Sequence, residues 1–112
     1  MGTIVHKDFR SCNRGFWLKF PCGYTLSTQF GYMNYCENRH VALAFKRLEE
    51  LRTAEETESA TCEIAVWEGD EGDWVTRRVW QEVFDEELND DVQGHVTMKQ
   101  WLKVVAYLTN LK

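Results

Sequence analysis

Two early stretches of the chain alternate apolar and polar positions with a period of two. Phe16, Leu18 and Phe20 alternate with Trp17 and Lys19, and Tyr24, Leu26, Thr28 and Phe30 fall on one side of the next stretch. That period sends successive side chains to opposite faces, so both stretches read as half-buried strands. Between them, Pro21, Cys22 and Gly23 supply turn chemistry: proline presets one φ and glycine accepts a positive one. The pattern predicts a β-hairpin. Residues 1–13 show no period and are expected to form a loose arm or a short edge strand.

After Gly31 the period changes. Val41, Ala44, Phe45, Leu48 and Leu51 recur at helical spacing, with Lys46, Arg47, Glu49 and Glu50 elsewhere on the wheel. Asn38 is placed to cap this helix. A polar run, Thr53–Ala60, leads to a second alternating stretch. There Cys62, Ile64 and Val66 point one way and Glu63, Ala65 and Trp67 the other. Glu68–Asp73 reads as an acidic turn, and Trp74–Trp80 as the return strand of a second hairpin. Gln81–His95 is expected to be weakly helical or loop. Thr97 followed by Gln100 is a capping-box signature. Met98, Trp101, Leu102, Val105 and Leu108 then form the stripe of a C-terminal helix. The order ββ, helix, ββ, helix predicts one α+β domain over 1–112, with a mainly antiparallel sheet and both helices on one face.

Composition changes this picture little. With 112 residues, 44% hydrophobic and 28% charged, the chain fits a single globular domain. Its five tryptophans are accounted for first as core filling. No apolar run approaches the roughly 18 residues of a membrane span. The start lacks the features of a signal peptide, so a cytoplasmic protein with reduced thiols is expected. Cys12, Cys22, Cys36 and Cys62 contain no C-x-x-C pair, and the acidic turn does not supply the ligand pattern of an EF-hand. No metal or cofactor is expected.

The net charge is −5, but it is unevenly spread. Residues 1–48 carry a net +5, residues 49–91 carry sixteen carboxylates against Arg52, Arg77 and Arg78, and residues 92–112 add three lysines. The two blocks are complementary, which permits self-association into a homo-oligomer. The acidity also argues against direct binding of nucleic acid, where phosphate contacts dominate affinity.

Gly31–His40 concentrates chemistry. Tyr32 and Tyr35 offer flat rings, Asn34 and Asn38 offer amides, Cys36 offers a thiol, and Arg39 stands beside the start of the expected helix. Rings stack on a base, amides read its edge, and a guanidinium at a helix N-terminus holds a phosphate. This set points to capture of a small anionic, nucleotide-like ligand, with Tyr32, Asn34, Tyr35, Cys36, Asn38 and Arg39 as its residues. A plainer account makes Tyr35 and Cys36 core plugs, Asn34 a left-handed turn residue and Asn38 a helix cap. No catalytic residue is assigned: Cys36 and His40 are a candidate thiol–imidazole pair, but no third group orients them. A second function places the working surface in the acidic middle. Trp67, Glu68, Asp70, Glu71, Asp73 and Trp74 would imitate nucleic acid and occupy a basic groove of a partner protein.

Phe30–Arg39, Glu63–Val75 and Asp90–Val105 contain, in order, a Gly-x-x-Asn-Tyr-Cys loop, a strand–acidic turn–strand, and a Val-x-Gly turn leading into a capped helix. In this order they resemble a family of small proteins encoded by tailed bacteriophages. Tyr32 and Met33 depart from the pattern, where proline and a small residue are usual. The resemblance implies a phage setting and no particular chemistry; by analogy with small acidic cytosolic phage proteins, an accessory or counter-defence role is expected.

Overall fold

The hairpin predicted from Phe16 to Phe30 forms around a tight turn. In the computed structural model, which describes residues 9–11, 15–31, 34–37, 58–69 and 72–112, strands β2 (Gly15–Lys19) and β3 (Tyr24–Gln29) pair antiparallel, with Trp17 opposite Ser27. The Phe20 and Gly23 N–H groups donate to the Tyr24 and Phe20 carbonyls, and Gly23 takes φ +94°. That angle is cheap only for glycine. The expected arm contains an edge strand, β1 (Phe9–Ser11), paired to β2.

Strand β4 (Thr61–Glu68) pairs antiparallel with β3 from Glu63 to Glu68, and at its C-terminal end with β5 (Asp73–Trp74). The return strand predicted over Trp74–Trp80 is corrected here: it lasts two residues, and helix α1 runs over Thr76–Phe84. The cause is local. The Val75 N–H donates to the Val66 carbonyl at 2.8 Å. The buried Thr76 hydroxyl then accepts from the Val66 N–H at 2.8 Å and donates back to the Val66 carbonyl at 3.2 Å. A side chain thus completes the backbone pairing of β4, and the main chain is released to coil. Val75, Val79, Trp80, Val83 and Phe84 give this segment an apolar helical face.

The segment Gln81–His95 is also corrected. It comprises the end of α1, a connection, and the start of strand β6 (Gln93–Thr97), which pairs antiparallel with the N-terminal half of β4. The expected Val-x-Gly turn therefore enters a strand. Helix α2 (Met98–Asn110) begins as predicted. Thr97 accepts from the Gln100 N–H, and the Gln100 side chain accepts from the Thr97 N–H, closing the capping box. The helix expected from Val41 lies outside the described residues.

The chain is α+β, with sheet order β1-β2-β3-β4-β5 and β6 beside β4. Helices α1 and α2 pack on one face, over Leu26, Ile64, Val66, Val79, Trp80, Val96, Val104 and Leu108, all nearly inaccessible. On the other face Trp17 and Trp67, from strands on either side of β3, meet edge to face at 4.9 Å. To touch, the two indoles must lean over β3, where Thr25 and Ser27 are buried. No described helix is long and apolar enough to cross a membrane.

Candidate functional site

The connection after β3 is held against the sheet by hydrogen bonds of its backbone and of the Asn34 and Glu37 side chains. Asn34 Oδ1 accepts from the Gly31 N–H at 2.9 Å, and Asn34 Nδ2 donates to Glu63 Oε1 at 3.4 Å. The Tyr35 N–H donates to Glu63 Oε2 at 2.8 Å, and its carbonyl accepts from the His95 N–H at 2.8 Å. The Glu37 N–H donates to the Thr61 hydroxyl at 2.8 Å, and Glu37 Oε2 accepts from the Ala60 N–H at 2.5 Å. Residues 34–37 are thus laced across the start of β4 and the middle of β6.

Strand β6 is shaped to receive them. Its register shifts between Cys62 and Ile64, and His95 adopts φ +51°. A Cβ on Gly94 would stand 2.6 Å from Tyr35 Cβ and 2.8 Å from the Tyr35 carbonyl oxygen, closer than packed atoms approach. Gly94 is required by that contact.

The predicted ligand residues separate accordingly. Cys36 is fully buried, its thiol 3.4 Å from the Gly31 carbonyl, and it serves as a plug under the connection. Asn34 orders the loop with its amide and does not take the left-handed conformation, since Asp85 and His95 are the non-glycine residues with positive φ among those described. Tyr35 is about half exposed, at 52%. Tyr32, Asn38 and Arg39 lie outside the described residues.

Beside this connection lies a recess of about 780 Å3, between the helix-covered face of the sheet and the first turn of α2. Phe16, Phe30 and Trp101 supply its rings, with Thr28, Cys62, Val96 and Met98 between them. Trp101 meets Phe16 edge to face at 6.2 Å, and its indole Nε1–H donates to the Thr28 hydroxyl at 2.8 Å, which fixes the ring. Phe16 meets Phe30 in the same manner at 6.5 Å. Glu37 and Glu58 stand at the mouth with Ser59, Ala60 and Thr61. Of the connection, Glu37 reaches this lining among the described residues. The wall residues were read from the sequence only as strand and helix stripes. The signal was the coincidence of Phe16, Phe30 and Trp101 at the starts or ends of three elements that the capped helix brings together.

The thiol in the recess is unreactive. Burial first, then the neighbouring Cys36 and the Glu63 carboxylate, push Cys62 up to about 12, so it stays protonated at neutral pH. Among the described residues, no three His, Cys, Asp or Glu side chains stand together as metal ligands.

At the far end of β4 the described members of the second predicted set do meet. Trp67 pairs across the strands with Trp74, and Glu68 with Asp73, while Asp70 and Glu71 lie outside the described residues. Trp67 and Trp74 are edge to face at 5.7 Å, and Trp74 is 54% exposed. Comparison with protein-family models, curated proteins and solved structures finds no match, so the functional reading rests on this geometry.

Proposed function

We propose that this protein is a non-catalytic binding protein that holds a small molecule with a flat apolar body in the recess beside the 34–37 connection. The observation that carries the reading is the recess itself. Its volume lies within the range of small-molecule sites, roughly 300–1,000 Å3, and its wall is mostly apolar with a few polar groups at the mouth. The Trp101–Thr28 hydrogen bond and the ring contacts with Phe16 pre-set that wall, so little ordering remains for a ligand to impose. A nucleobase is one such flat body. A phosphate finds no cation in the described lining, whose two charged residues are both carboxylates. In the phage setting implied by the resemblance, a protein of this kind would act by sequestration.

The test is a thermal-shift screen of mono-, di- and cyclic nucleotides beside uncharged and cationic aromatic compounds. A ligand that binds only the folded state raises Tm by mass action. Ala60→Phe, at an exposed lining position, should fill the mouth, leave the unliganded Tm nearly unchanged and abolish the shift. No shift with any compound, or a shift that survives Ala60→Phe, would remove the recess as the site.

The pairing of Trp67 with Trp74 and of Glu68 with Asp73 favours a second reading, docking of a basic partner protein at the β4–β5 end. Carboxylates directly opposite each other repel, and a cationic partner would relieve them.

A further inference from the structure

The described charges at the mouth of the recess have one sign. Glu58 is exposed and lines the opening. Glu37 is turned toward it by two anchors: its backbone N–H on the Thr61 hydroxyl, and one carboxylate oxygen on the Ala60 N–H. A carboxylate oxygen accepts more than one bond, so the Ala60 contact orients Glu37 without exhausting it. Behind the two acids lie the rings of Phe16, Phe30 and Trp101. Aromatic faces carry negative quadrupole density and attract cations, most strongly where water is excluded. The carboxylates at the mouth therefore favour a cation, and the rings supply the apolar wall behind it.

We propose that the recess selects an organic cation: a flat aromatic or apolar body carrying an ammonium or guanidinium group, with the body against Phe16 and Trp101 and the charge at Glu37 and Glu58. This preference rests on the reading that the recess holds a ligand. It goes further by assigning the ligand's charge and the two residues that read it. An anion of the same shape meets two carboxylates there and is rejected, which supplies specificity as well as affinity.

Three probes of one shape separate the possibilities: naphthylmethylammonium, naphthylmethanol and naphthoate, titrated calorimetrically into the whole protein. The expected result is that the ammonium binds at least about fivefold more tightly than the alcohol, with naphthoate weakest. Raising the salt concentration should narrow the gap between ammonium and alcohol. Glu58→Gln and Glu37→Gln should each reduce the ammonium's advantage over the alcohol. Glutamine at 37 can still accept from the Ala60 N–H, so the mouth keeps its shape. Equal binding of all three probes, or preference for naphthoate, would overturn the charge preference and leave the recess as a ligand site. Absence of binding by any of the three would overturn both.

Discussion

The two ends of β4 are built from the same alternating strand but present opposite kinds of surface. At the N-terminal end, Cys62 faces the helices, and the space between sheet and α2 is left open as a concave recess ringed by Phe16, Phe30 and Trp101. At the C-terminal end, Trp67 turns to the other face and meets Trp17 and Trp74 edge to face in a ridge that ends on the exposed Trp74. Both ends are rich in aromatics and both carry carboxylates. Among the described residues, they differ in whether a helix stands over the rings. A covering helix makes a cavity for a small body, whereas its absence makes a surface that only a large partner can bury. Aromatic residues in the sequence therefore do not by themselves distinguish a pocket from an interface.

The contrast can be broken most forcefully at the helix. Leu108→Ala removes a fully buried side chain under α2 and is expected to cost about 2–5 kcal/mol, read by urea unfolding. A loss far below that range would mean that α2 does not hold the covered face. Thr76→Val tests what ends β5 and starts α1. It deletes the hydroxyl that satisfies Val66 and should cost about 1–3 kcal/mol, with unchanged helix content if repacking is the only response. Trp74→Ala strips the exposed end of the ridge and should cost only about 0.5–1.5 kcal/mol, the worth of one aromatic pair. It should leave ligand binding in the recess untouched.

A further effect is one of pH. Cys62 is raised in the folded state from its ordinary 9.0 to about 12, so between these values the unfolded chain has lost a proton that the folded chain keeps. Its contribution is fully present below pH 9 and declines as pH rises toward 12. At pH 10 the loss is on the order of 1 kcal/mol, since one pKa unit is worth about 1.4 kcal/mol. Measured as a slope of stability against pH, wild type should fall more steeply above pH 9 than Cys62→Ala. Parallel slopes would show that the thiol does not carry it.

Much of the fold was legible in residue patterning. The first hairpin, β4 and the capped α2 follow from period-two alternation and from Thr97 with Gln100. The segment after Trp74 reads as a strand because Val75, Thr76 and Val79 are β-branched. Yet Val75, Val79, Trp80, Val83 and Phe84 also fit a helical face, and the tertiary bond from Thr76 to Val66 decides between the two. Strand β6 was missed because it is short and lies among acids, and its place depends on a bulge that receives Tyr35. The candidate site was legible only as a neighbourhood. Asn34 and Tyr35 stand out by their chemistry, whereas Glu37 does not. Glu63, which ties Asn34 and Tyr35 to the sheet, looked like one more acid in an acidic block.

The central claim is that the recess, and not the ridge, is where this protein works on a small molecule. Four of the five tryptophan indole N–H groups report on the two places separately: Trp101 stands in the recess wall, while Trp17, Trp67 and Trp74 stand in the ridge. Their nitrogen–proton resonances can be followed during titration with naphthylmethylammonium. The account predicts a saturable shift of Trp101 with the three ridge indoles unmoved; saturable movement of the ridge indoles with Trp101 stationary would contradict it.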